Sequence, residues 1–246
     1  MDARHRPVVE PRRWPRGRGQ AGFSPVEALL ATAIGMIAVT AFASFNVAQM
    51  YSMRNRQTQI DLQTTARNIT DLFARDVRRA GAGLDSTCVG SASTGVLSGI
   101  NSTSTSSVVR IKADIDGNGT IGTNEDVTYT LDFANNMVTR LDNSIGGTAE
   151  TLWSGSAVNG ASALNGSSLK FYDSTGAALT ASGSGLSTTD LKSVRRIRME
   201  LALITKVVQP SNSTTLTAQD TADVELRNRY FLVSYPTLNS NGCGTR

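Results

Sequence analysis

The sequence predicts an α+β fold in which one long N-terminal helix packs against an antiparallel β-sheet head. Three observations lead to this prediction. A charge-free apolar stretch, Ala28–Met53, is long enough for a membrane-spanning helix. Apolar residues then recur every three or four positions between Leu62 and Ala80, which is the period of an amphipathic helix. The rest of the chain has short alternating runs between Gly, Ser, Thr and Asn, a composition typical of β domains.

The first 22 residues have the charge of a cytoplasmic leader. They contain six arginines against two acids, Asp2 and Glu10, and so account for the whole net charge of +4. Basic residues before an apolar helix stay in the cytoplasm, which predicts that the chain after residue 54 or so lies on the outer face of the membrane. Because the remaining chain is neutral and poor in aromatic residues, we predict no specific nucleic-acid binding.

The junction between leader and helix, Ala21–Glu27, has the sequence AGFSPVE. An ordinary secretory signal places its small residue after the apolar run, whereas Gly22 precedes that run. The junction resembles the cleavage motif of type IV prepilins, in which glycine is followed by phenylalanine and by glutamate at the fifth mature position. The resemblance implies cleavage between Gly22 and Phe23 by a prepilin peptidase, methylation of the new N-terminus, and a type IV pilin-like fold.

Glu27 lies at the edge of the apolar run, where a carboxylate is costly unless it meets a partner. The resemblance to pilins implies that this partner is the N-terminal amine of a neighbouring subunit during filament assembly. The alternative is a glutamate that only favours the first turn of its own helix through the helix dipole.

Beyond the membrane segment the helix is predicted to become amphipathic and to end near Gly81. Its apolar face comprises Leu62, Ala66, Ile69, Phe73, Val77 and Ala80. The segment DLFARDVRRAG at Asp71–Gly81 resembles the helix end of PilW-like minor pilins, and a related sequence occurs in a minor pseudopilin of type II secretion. We therefore predict four segments: a leader at 1–22, an apolar helix at 23–53, its amphipathic half at 54–82 and a β-rich head at 83–246.

The head contains strand-like runs separated by turn residues. Alternation is clearest from Ile197 to Leu203, where every second residue is a large apolar one and the residues between them are Arg198, Glu200 and Ala202. An antiparallel sheet is predicted to cover the amphipathic helix, and the Ser/Thr/Gly-rich runs 91–107 and 174–190 are predicted to be flexible surface loops. The predicted strands are 107–113, 126–133, 136–141, 168–173, 194–206 and 223–235.

The segment DIDGNGTIGTNE at residues 114–125 has the spacing of a twelve-residue EF-hand loop. An EF-hand loop has oxygen ligands at alternate positions, a glycine turn at the sixth position and a glutamate at the twelfth, and the segment matches at these key places, with Gly122 leaving the ninth position to water. The flanking runs are strand-like, unlike the helices of a true EF-hand. A hairpin turn without metal is the alternative. The predicted Ca²⁺ ligands are Asp114, Asp116, Asn118, Thr120 and Glu125.

The two cysteines, Cys88 and Cys243, lie in polar, Gly/Ser-rich surroundings. Export to an oxidising compartment favours one disulfide between them. Two unpaired buried thiols are the alternative.

The sequence predicts a protein that is not an enzyme. The only histidine, His5, lies in the leader, and the sequence contains no nucleophile-elbow, zincin or phosphate-loop motif. The resemblances imply a structural minor pilin that contacts other pilin subunits through its helix and serves pilus initiation, adhesion or motility, with a tip adhesin as a further partner. It would reside in the inner membrane before assembly and in a filament afterwards. The alternatives are a type II secretion pseudopilin and an uncleaved membrane-anchored binding domain.

Overall fold

The computed structural model describes residues 22–82, 96–97, 99–116, 121–144, 146–208 and 213–226. Several predicted features lie outside the described residues: leader residues 1–21, Cys88, Cys243, Asn118 and Thr120. The chain divides into two units, one that ends at Met50 and one that begins at Tyr51.

Helix α1 spans Pro25–Arg79, which confirms the long helix expected from the sequence. Proline suits the first helical position because its fixed φ is helical and its missing amide has no partner there. Glu27 lies in the first turn and Arg78 and Arg79 in the last, where the helix dipole favours each charge. Gly81 follows with a φ of 79°, a left-handed conformation that ends the helix.

The part of α1 before Tyr51 exposes its apolar side chains, including Leu29, Ile37 and Phe42. Its hydroxyl groups donate to carbonyls of the same helix, as Thr40 does to Met36 at 2.6 Å, so their polar hydrogens have partners without water. Among the described residues, α1 is the one helix that is long and apolar enough to cross a membrane by length and composition.

The described part of the head forms two antiparallel sheets. The first sheet is a meander of six strands in sequence order: β1 Val96–Leu97, β2 Ile100–Asn101, β3 Val108–Lys112, β4 Asp126–Asp132, β5 Met137–Asp142 and β6 Glu150–Ser154. The second comprises β7 Ser168–Tyr172, β8 Ala178–Leu179, β9 Arg196–Val208 and β10 Ser213–Glu225, in the spatial order β10-β9-β7-β8. A short helix, α2 Thr188–Ser193, precedes β9.

The core of the head is built on the second half of α1. The predicted apolar face of the helix is buried, and Phe73 and Val77 are fully inaccessible. The Phe73 ring meets the Tyr129 ring of β4 edge to face, with centroids 5.4 Å apart, a favoured aromatic geometry. The second sheet contributes Ile197, Met199, Leu201 and Leu203 to the same core. The predicted α+β class with antiparallel sheets is therefore confirmed.

Five predicted strands match β3, β4, β5, β7 and β9 to within two residues at each end. The predicted strand 223–235 overlaps β10 at residues 223–225, but its predicted start is wrong, because β10 begins ten residues earlier at Ser213 and ends at Glu225. Its buried positions are Ala218, Ala222 and Val224. These small side chains among Thr and Asp give a weak alternating pattern, which is why the sequence did not indicate the strand. Residues 227–235 lie outside the described chain.

The two runs predicted as flexible surface loops contain packed residues. Ile100 of the first run is fully buried, and Leu186 of the second is buried. The Leu186 amide donates to the Ser102 carbonyl at 2.9 Å, which joins the runs. Gly185, with a φ of 112°, adopts a conformation that favours glycine, and a Cβ there would overlap the Ser102 carbonyl. The loop prediction rested on the average composition of each run, and that average does not reveal a single buried apolar residue such as Ile100 or Leu186.

Candidate metal centre

The loop between β3 and β4 carries the predicted calcium ligands. Its base is the antiparallel pair of Lys112 and Asp126. The Ala113 amide continues the ladder by donating to the Glu125 carbonyl at 2.8 Å. Strands therefore hold the two ends of the loop side by side, as the sequence predicts in place of the helices of an EF-hand.

Three predicted ligands converge in the described part of this loop. One carboxylate oxygen from each of Asp114, Asp116 and Glu125 lies within 4.8 Å of the other two. Asp114 and Glu125 are only 2 and 4% exposed, whereas Asp116 is exposed. Neighbouring carboxylates repel one another and lose hydration on burial, so such a group favours a cation or strong hydrogen-bond donors. The hard oxygen donors fit Ca²⁺.

Backbone amides already compensate part of the Glu125 charge. Its Oε1 accepts from the amides of Ile115 at 2.5 Å and Asp116 at 3.2 Å. Its Oε2 accepts from the Gly122 amide at 2.5 Å. A carboxylate has about four lone-pair sites, so one remains on Oε2. Bidentate coordination by Glu125 therefore requires Oε1 to release one amide.

Asp126 stabilises the base of the loop through hydrogen bonds and ion pairs of its side chain. Its side chain is buried and accepts two hydrogen bonds from Arg110, Nε to Oδ1 and Nη2 to Oδ2, both at 2.7 Å. The Lys112 ammonium lies 3.3 Å from Oδ2, and the Asn143 amide donates to Oδ1 at 3.1 Å. The hydrogen bond with Asp126 raises the pKa of Arg110, so the bidentate pair stays charged. This pairing fixes the backbone that carries Glu125.

Asn124 connects the loop to the rest of the head. It has a φ of 62°, and its amide donates to Asp142 Oδ2 at 2.6 Å. Burial opposes ionisation of Asp142, but hydrogen bonds from Ser144 and from the Asn124 amide outweigh it and lower the Asp142 pKa. The Asn124 side-chain oxygen accepts from Arg140 Nη2 at 3.0 Å. Asp142 therefore stays anionic and holds the strained residue before Glu125.

Arg140 extends this network to α1. Its Nε lies 3.2 Å from Oδ2 of Asp76, which is buried on the helix. The same oxygen accepts a hydrogen bond from the Tyr129 hydroxyl at 2.7 Å. Burial and the Asp76 charge raise the Tyr129 pKa, so the hydroxyl remains a donor. The Tyr129 pKa is higher in the folded than in the unfolded chain. The stability contributed by the neutral Tyr129 hydroxyl is therefore complete below the unfolded pKa of about 10, and it is lost as the pH rises from there through the folded pKa.

The predicted processing and assembly residues lie at the start of α1. Gly22 and Phe23 precede the helix, and both are exposed. Glu27 is also exposed, in the first helical turn. The predicted scissile bond, between Gly22 and Phe23, thus lies just before α1, and Phe23 is four residues before Glu27.

Sequence reasoning did not identify the residues that support the loop. Asp126, Asp142 and Arg140 meet their partners through strand pairing, so no local spacing indicates them. One pattern was available: the run Asp-Asn-Ser at residues 142–144 directly after a predicted strand is typical of a side-chain-capped turn.

Comparison with known proteins adds no relative. No protein-family model matches the chain, and neither the curated proteins nor the solved structures contain a match.

Proposed function

We propose that the chain is an exported structural subunit of a type IV pilin-like filament, a minor pilin. The observation that carries this proposal is the single helix α1, which is apolar and exposed before Tyr51 and forms the core of a β head after it. An apolar helix of this length suits first a bilayer and then a bundle of like helices. The head would remain on the outer face in both settings.

Glu27 supports the same function. Its carboxylate is the one charge between Phe23 and Met53, and a charge at the membrane edge marks a functional residue by default. Cleavage after Gly22 would create a free amine four residues before Glu27, so each subunit would carry one cation and one anion at the same end. Pairing these charges between neighbours would set the axial register of subunits in a filament.

The N-terminus of the native protein tests this proposal. We expect intact-mass and N-terminal analysis of the membrane or filament fraction to give a chain that starts at Phe23 and carries one added methyl group. A Gly22→Val variant should accumulate with residues 1–22 attached, whereas Gly35→Val, the same change within the helix, should be processed normally. Retention of the leader in the wild-type chain would contradict the proposal and favour an uncleaved membrane-anchored domain.

We further propose that the 114–125 loop binds Ca²⁺ in the head. Asp114, Asp116 and Glu125 supply the carboxylates, and the twelve-residue spacing supplies Asn118 and the Thr120 carbonyl as further oxygens. The bound ion would neutralise buried carboxylates and hold the loop closed between β3 and β4. An extracellular site of this kind has a dissociation constant of roughly 0.1 to 1 mM.

Calcium is expected to stabilise the full-length chain in detergent micelles. At 10 mM Ca²⁺ the free energy of unfolding should rise by about 1.4 to 2.7 kcal/mol for a site of that affinity. Glu125→Gln should abolish this increment because it removes the bidentate ligand, whereas Glu150→Gln, at an exposed glutamate of β6, should retain it. Urea unfolding with Ca²⁺ or with a chelator measures the increment. An equal increment in both variants would refute the site.

A further inference from the structure

The long hairpin of β9 and β10 runs along α1. Its strands pair over thirteen residues, from Glu225 opposite Arg196 to Ser213 opposite Val208. Two contacts fix its direction along the helix. The Thr70 hydroxyl donates to Asp220, and the Gln59 side-chain amide donates to the Thr217 carbonyl at 2.9 Å. Lower residue numbers in β10 therefore lie beside lower residue numbers in α1.

The far end of this hairpin lies beside the first residues of α1 that belong to the head. From Thr217 to Ser213 the strand advances four residues, or about 13 Å. The same distance along α1 covers eight residues before Gln59, about 12 Å, and reaches Tyr51. Tyr51 and Asn55 are half-buried, like Gln59, which continues the contacting stripe at four-residue spacing. The uncharged stretch of the helix ends at Met53.

The chemistry of this hairpin end is cationic and apolar. Lys206 is exposed and Val208 is 75% exposed. Arg54 and Arg56 lie about 100° to either side of Asn55 on the helix, so they flank the contacting stripe. Segments 51–60, 204–208 and 213–217 contain no acidic residue. Within the described residues none of the three cations takes part in an ion pair.

We infer that the hairpin end, formed by Arg54, Arg56, Lys206 and Val208, binds the anionic phospholipid headgroups of the outer membrane leaflet. This inference rests on the proposed membrane insertion of the preceding helix. Three unpaired cations, two of which directly follow the uncharged run in sequence, match the negative surface of a bilayer. Val208 would enter the headgroup layer, and Lys206 would keep its ammonium among the phosphates. The hairpin would thereby hold the head against the membrane before assembly.

Photo-crosslinking in lipid tests this inference on the full-length chain. The protein is reconstituted in vesicles of phosphatidylglycerol and phosphatidylcholine, with p-benzoylphenylalanine in place of Val208. Phe42 replacement serves as the positive control in the apolar helix. Replacement of the exposed Ser174, in the turn at the opposite end of the second sheet, serves as the negative control. We expect lipid adducts at positions 208 and 42 and none at 174.

The charge requirement is measured in the same system. The combined changes R54Q, R56Q and K206Q should lower the adduct yield at position 208 by about threefold or more in anionic vesicles, and salt should lower the wild-type yield similarly. Lipid adducts at position 42 without adducts at position 208 would overturn this inference and leave the proposed membrane insertion intact. Crosslinks from position 208 to protein instead of lipid would do the same. Absence of adducts at 42 would overturn the proposed membrane insertion as well.

Discussion

Replacing Phe73 by alanine is expected to lower the free energy of unfolding by about 3 to 5 kcal/mol. Phe73 is fully buried, and its ring packs edge to face on Tyr129. Truncation removes this contact and leaves a cavity between α1 and β4, which regular secondary structure on both sides can close only in part. Urea unfolding of the full-length chain in micelles measures the loss. It is followed by tryptophan fluorescence, to which Trp153, packed against the core, contributes.

Phe133→Ala is the matched control for this prediction. Phe133 directly follows β4 and is 38% exposed, so the same truncation removes a side chain that water already reaches. We expect a loss below about 1 kcal/mol. Similar losses for the two variants would show that the contact between α1 and the first sheet is not the anchor of the head.

The helix and most strands were predictable because each buries one face. From Leu62 to Ala80 every apolar position predicted at helical spacing is buried. In β9 the alternation from Ile197 to Leu203 likewise marks the buried side. Hydrophobic periodicity is a direct record of burial, so it predicts element type wherever the pattern is strong. β10 shows the limit, since its buried residues are two alanines and one valine.

The candidate site was predictable only where its ligands are close in sequence. Asp114, Asp116 and Glu125 lie within twelve residues, so loop spacing alone brings them together. The amide bonds from Ile115 and Gly122 to Glu125 depend on the folded path of the loop. The support from Asp126 and Asp142 depends on strand register, which no single segment encodes. Spacing therefore predicts the ligands but not the hydrogen bonds that compete with a metal for them.

Asp76 is a buried acid that the sequence analysis did not single out. Its neighbours Asp71 and Arg75 are exposed, and an acid in such a run is expected to face water. Its side chain instead lies against the first sheet, beside Phe73 and Val77 in the helical repeat. The partners that permit this burial, Tyr129 and Arg140, are 53 and 64 residues away in sequence. Only the pairing of β4 with β5 brings them to one oxygen.

Asp76→Ala is expected to destabilise the chain by about 3 to 5 kcal/mol, because it leaves the largely buried Arg140 guanidinium without its carboxylate. Asp71→Ala, an exposed acid on the same helix, should change stability by no more than about 0.5 kcal/mol.

Tyr129→Phe removes the hydroxyl that donates to Asp76 and should lower the free energy of unfolding by about 1 to 2 kcal/mol. Urea midpoints with unchanged slopes report each value.

A double-mutant cycle separates the ion pair from simple packing. In Asp76→Ala with Arg140→Met both charges are removed, so no uncompensated charge remains beneath the sheet. The double variant should therefore be more stable than the sum of the single losses predicts, with a coupling of about 1 to 3 kcal/mol. Additive losses would mean that Arg140 finds enough water or support from Asn124 without Asp76. Arg140 would then support the loop through Asn124, and its ion pair with Asp76 would add nothing to the attachment of α1.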